Sequence, residues 1–91
     1  MADIEIHRPH DKSPEEARKI VEQVERQLKT KFDLETQWEG NTMRFKRTGL
    51  SGEMQIGASE VAVIASLGLM LKPMKGMITG EINKFLDAKL G

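Results

Sequence analysis

Two short alternating stretches, "LETQWE" and "TMRFKRT", are separated only by Gly40-Asn41, and that spacing leaves little choice of local fold. Glycine and asparagine suit the positive φ of a two-residue hairpin turn, so the stretches are expected to pair as antiparallel strands. With the turn setting the register, Trp38 faces Met43 and Thr36 faces Phe45 on one side of the ribbon, while Glu35 meets Lys46 on the other. Large side chains collect on one face and opposite charges on the other, as a stable strand pair requires.

The rest of the chain extends this sheet. "ADIEIHR" alternates Ile4 and Ile6 with Asp3, Glu5 and His7, the period of a half-buried strand. "SPEE" then opens a helix: Ser13 and Glu16 form a capping box, and Pro14 occupies the first helical position, where its missing N–H costs nothing. Ala17, Ile20, Val21, Val24, Leu28 and Phe32 follow at helical spacing, with charged and amide residues on the other side. Beyond the hairpin, "LSGEMQIG" and "SEVAVIASL" read as two more strands, with turns or bulges expected at Gly49, Gly52 and Gly57. The last of these strands is apolar on both faces and belongs inside the sheet. From Met70 on, Leu71, Met74, Met77, Ile78, Ile82, Phe85 and Leu86 cover about half of a helical wheel, and Lys72, Lys75, Asn83, Lys84 and Asp87 the other half. Gly76 and Gly80 weaken that amphipathic helix unless they serve close packing, and Gly91 follows its end.

Ninety-one residues supply a single domain, 1–91, with one core. Fourteen basic and fourteen acidic side chains cancel, so the chain as a whole presents no field to attract nucleic acid or acidic membranes. The absence of cysteine removes disulfide scaffolds, thiol nucleophiles and cysteine-ligated zinc. "MADIEIHRPH" carries no export signal, so a cytoplasmic location is expected. "VAVIASLGLML" is about half the ~20 residues that a membrane-spanning helix needs, and "KP" stops it.

The polar constellations point to no reaction. His7 and His10, with Asp11 beside them, are too few for a zinc site and read as solvated; no metal or other cofactor is expected. No nucleophile motif accompanies either histidine, so the chain is not expected to be an enzyme. Arg44, Lys46 and Arg47 could touch phosphates, but Phe32, Trp38, Phe45 and Phe85 have core parity rather than the exposure of stacking aromatics, and no nucleic-acid partner is expected. The methionines of the last helix are expected to fill gaps against the sheet. Glu81 lies within their apolar stripe and needs a basic partner, for which Arg47 and Arg8 have the right strand parity.

The chain resembles the small polyhydroxyalkanoic acid system protein family of Gram-negative bacteria. The resemblance runs from about Ile4 to Leu90, through "IEIHRPH", "PEEARKIVEQVERQL", "WEGNTMRFKRTGLSGEMQI" and "LGLMLKPMKGMITGEINKFLDAKL". It rests on the order and spacing of Trp38, Phe45, Gly49, Gly52, the Leu67-Gly68 pair and the helix centred on Ile82. None of these is a catalytic signature, so the resemblance implies a place in storage-granule biology, not a reaction. The element order also looks like a reduced START-like helix-grip fold. This implies an α+β domain, β-α-β-β-β-β-α, with a curved antiparallel five-stranded sheet in the order 2-3-4-5-1 packed against two helices.

The expected function is non-enzymatic binding associated with polyhydroxyalkanoate granules, at their surface or with granule-surface or polymer-synthesis proteins as partners. The alternative is a small carrier or sensor of an apolar acyl ligand held between sheet and C-terminal helix. The candidate ligand-binding residues are Trp38, Phe45, Met74, Met77 and Glu81. A filled space under the helix favours the first function, an open apolar cavity the second, and an apolar strip left exposed marks a homodimer or granule-facing surface.

Overall fold

The computed structural model describes residues 2–90. Along the chain lie β1 (Ile4–Pro9), α1 (Pro14–Phe32), β2 (Glu35–Glu39), β3 (Thr42–Arg47), β4 (Leu50–Ile56), β5 (Glu60–Leu67), a 3-10 turn (Lys72–Met74) and α2 (Lys75–Leu90). The strands form one open antiparallel sheet in the order β1-β5-β4-β3-β2, so the fold is α+β. β5, apolar on both faces, is an interior strand, as expected. Gly91 lies outside the described residues.

The hairpin register agrees with the turn-based reading: Trp38 pairs with Met43, Thr36 with Phe45 and Glu35 with Lys46. Gly40 takes φ 58° while Asn41 stays out of the left-handed region, the combination of a turn whose first central residue must be glycine. A second two-residue turn, Thr48-Gly49, joins β3 to β4 with Gly49 at φ 85°. Gly52 corrects the sequence reading, because it lies in mid-strand with unbroken pairing to Phe45 and Ala65, neither turn nor bulge. A Cβ there would come within 2.5 Å of the Ile64 carbonyl oxygen, so glycine permits a close approach of β4 to β5.

Parity divides the sheet into two unlike faces. The inner one carries Ile4, Met43, Phe45, Met54, Val61 and Val63, all buried, and both helices pack over it. The outer one carries Glu5, His7, Gln37, Arg44, Lys46 and Gln55, all exposed.

Side chains at the sheet ends set the helix directions. The Ser13 hydroxyl accepts from the Glu16 N–H and the Glu16 carboxylate accepts from the Ser13 N–H, closing the capping box. These bonds hold the Glu16 carboxyl below its ordinary range. Arg18 donates to the Gly40 carbonyl at 3.1 Å, and Arg47 at the far end of β3 donates to the Phe32 carbonyl at 2.9 Å. The second bond satisfies a carbonyl that the helix end leaves without a partner. α1 therefore runs with β3. Arg8, near the end of β1, reaches Asp87 and, at 2.9 Å, Asn83, so the late turns of α2 lie by the end of β1. The two helices are antiparallel.

Candidate functional site

The five candidate ligand-binding residues occupy different parts of the fold. Phe45 is core, 3% exposed. Trp38 lies on edge strand β2 and is half-buried. Its indole N–H donates to Glu25 at 3.1 Å, and the Arg18 guanidinium lies 3.9 Å above its ring. Glu25 also accepts from the Thr36 hydroxyl, so α1 and β2 are clamped together where the sheet would otherwise open. Glu81 pairs with Lys31 of α1 at 3.3 Å. Neither Arg47 nor Arg8, the partners expected from strand parity, reaches it; both are used at the ends of helices.

The methionines depart most from the sequence reading. Met74 is 41% and Met77 46% exposed, and the stripe of α2 that meets the core is Ile78, Ile82 and Leu86. The cause is axial as well as angular, since Ile78 in the same turn as Met77 is buried. Lys31 stands one residue before the end of α1 and meets Glu81, so the turns of α2 before Glu81 run past the end of their partner helix. Phe85, one turn after Glu81, still faces α1 across a groove of about 450 Å³ lined also by Arg26, Thr30 and Lys84.

Between sheet and helices the space is occupied by side chains, among them Val21, Leu28, Met54, Val63, Ile82 and Leu86, all at most 2% exposed. A cavity of about 630 Å³ opens instead beside the outer face, where Gln37, Arg44, Lys46, Ser51, Glu53 and Ser66 give it a polar wall of mixed charge.

The most exposed large apolar side chains stand just after β5. Leu69 is 84% and Met70 88% exposed, on a turn fixed by backbone bonds. The Gly68 N–H donates to the Gly49 carbonyl at 2.7 Å, and the Leu71 and Lys72 N–H groups donate to the Gly68 carbonyl at 3.0 and 3.2 Å. Leu71 packs inward, against Gly49. The turn is thereby rooted while its tip projects. Pro73 lies within a 3-10 turn, Lys72–Met74, and the regular helix begins at Lys75, later than the apolar periodicity suggests. Leu69, Met70, Met74 and Met77, all exposed, make residues 69–77 an apolar strip along the chain. From Val61 to Gly80 the chain has no acidic residue, and its two charges, Lys72 and Lys75, fall between the residues of the strip in the sequence. Helical periodicity alone assigns Met70 and Met74 to a buried face and gives Leu69 no role; the acid-free run and the glycine before Leu69 are the available signals of an exposed tip.

Two polar clusters lie apart from the strip. Asp3 accepts from the Leu67 N–H at 2.8 Å, and this bond, aided by Lys72 and Lys75, holds its carboxyl below the usual range. His7, on β1, sits between Glu5 at 2.8 Å and Glu60 at 3.2 Å, and hydrogen bonds to these two carboxylates raise its pKa. The His10 ring lies 3.0 Å from the Gly57 carbonyl and accepts from the Lys12 N–H. No helix among the described residues is long and apolar enough to cross a membrane.

No curated protein and no solved structure matches the chain. The family comparison agrees with the residues that carried the resemblance, from β1 through the hairpin to the strip and α2. Residues 4–90 match the model of the family described as "Putative polyhydroxyalkanoic acid system protein", and the chain belongs to that family.

Proposed function

We propose that the protein is a non-enzymatic binding protein of polyhydroxyalkanoate storage granules or their synthesis machinery, and that it binds through its surface. The observation that carries this reading is the exposed strip Leu69, Met70, Met74 and Met77, left outside a core that other side chains close. Exposed large apolar side chains gathered within nine residues of so small a domain mark an interaction surface. The family description supplies the polymer system in which that surface would act. The alternative, an apolar acyl ligand carried under the last helix, needs an open apolar cavity there; the interlocked side chains of sheet and α2 count against it.

The test is to sediment purified protein with granules isolated from polymer-accumulating cells and to identify what an affinity-tagged copy captures from the same cells. The expected result is co-sedimentation, or capture of a granule-surface or polymer-synthesis protein, either one weakened by Leu69→Ser with Met70→Ser. Saturable binding of a hydroxyacyl probe in solution, abolished by Met77→Trp, would overturn the reading and restore the carrier. A strip buried in a stable homodimer, seen as a doubled mass that the same double substitution halves, would also overturn it.

A further inference from the structure

The strip has a shape and a charge setting that narrow its partner. Leu69 and Met70 project from a two-residue tip and keep more than four fifths of their surface, so they form a knob rather than a wall of a groove. A knob of flexible side chains suits a yielding surface, whereas a folded protein partner would need a ready-made socket.

Charge is segregated around it. The chain is neutral overall, but the acid-free segment from Val61 to Gly80 carries Lys72 and Lys75. The Gly68–Gly49 hydrogen bond joins this turn to a second acid-free segment, Thr42–Gly52, which carries Lys46 and Arg47 near the turn, while Arg44, farther along β3, pairs with Glu39. The acids at this end are Asp3, bonded to the Leu67 N–H, Glu35, opposite Lys46, and Asp33, which lines a surface hollow with Lys46 and Arg47. Long lysine stems let the ammonium groups sit at the level of phosphates while the apolar tip goes deeper. Two apolar side chains alone give weak, reversible attachment to an interface, and a few adjacent cations are the usual second signal.

We propose that the Leu69–Met70 tip, backed by Met74 and Met77 and interspersed with Lys72 and Lys75, docks on an anionic phospholipid layer. This rests on the surface-binding reading above and gives that surface its chemistry.

The experiment measures binding of the full chain to three surfaces: vesicles of phosphatidylcholine with phosphatidylglycerol, vesicles of phosphatidylcholine alone, and lipid-free polyhydroxybutyrate particles. The expected result is binding to the anionic vesicles that falls with added salt. Leu69→Ser with Met70→Ser should weaken it by about tenfold or more, and Lys72→Glu or Lys75→Glu by about fivefold or more each. The unfolding midpoint of the tip variant, measured alongside, should match that of the parent, and those of the lysine variants should shift at most slightly, through the lost support of Asp3. Binding to anionic vesicles that the tip variants leave unchanged would overturn the proposal. Binding to bare polyester that ignores both lysines and salt would overturn it while leaving the surface-binding function standing. Binding to none of the three surfaces, with capture of a granule protein intact, would do the same.

Discussion

Trp38 shows how a single side chain can stabilise a sheet edge without being buried. Its ring is covered by Arg18 on one face and its N–H is taken by Glu25, so α1 closes over β2 through one aromatic. Trp38→Phe keeps the ring but not the hydrogen bond and should cost about 1 kcal/mol. Trp38→Ala should cost about 2 to 3 kcal/mol, below the ~3 to 5 of a fully enclosed aromatic. Urea unfolding measures both, and equal costs would show that the ring itself contributes little. His7 gives a pH signature of definite sign. Its folded pKa is raised by Glu5 and Glu60, so the stability from these bridges is fully present below the ordinary value of about 6.5 and is lost as pH rises through the raised one. Asp3 has the opposite sense, its contribution present above the ordinary carboxylate range and lost on acidification. Unfolding midpoints across the neutral range should therefore drift down with rising pH in the parent and lose that component in His7→Gln.

Among the elements, α2 is where periodicity and structure part. A wheel gives the angle of each side chain about the axis, and by that measure Ile78, Ile82 and Leu86 were legible as core. It gives no axial information, so it cannot show that α1 stops level with Glu81 and leaves Met74 and Met77 uncovered. The same gap hid the partner of Glu81: strand parity selects arginines on the right face, but the nearest cation lies on the neighbouring helix. The strands were more legible because their period is two and Gly40-Asn41 sets the register, which propagates from pair to pair. The glycines test the distinction between space and backbone freedom. A Cβ at Gly80 meets nothing within 4 Å, so close packing does not explain it, and Gly80→Ala should stabilise the protein by up to ~1 kcal/mol. Gly52→Ala, whose added carbon would press on the backbone of β5, should destabilise it. Thermal unfolding of the two variants should shift in opposite directions.

For the whole molecule, the sheet divides work between its two faces and grades stability across its width. β5 lies between β1 and β4 with its inner face under the helices, whereas β1 and β2 have one free edge each. Amide hydrogen exchange should be slowest in β5 and β4 and fastest in the edge strands β1 and β2, which share one ladder each. Protection in β2 equal to that in β5 would mean that the Trp38 clamp makes the whole sheet open as one unit. The candidate site was least legible at this scale, because net charge sums over the chain whereas an interface responds to the local field. Zero net charge conceals an end where Lys72 and Lys75 stand beside exposed methionines.

The two outermost strands have a consequence for crowding. A free strand edge is a template on which another copy can add, and molecules gathered on a surface meet far more often than in dilute solution. β2 carries Glu35 and Glu39 on its exposed outer face, and β1 carries Glu5 and ends at Pro9, which has no N–H to offer. Two copies brought edge to edge through β2 would set carboxylate against carboxylate, and through β1 would lose a rung at the proline. The domain can thus be packed densely side by side without its sheets fusing into one.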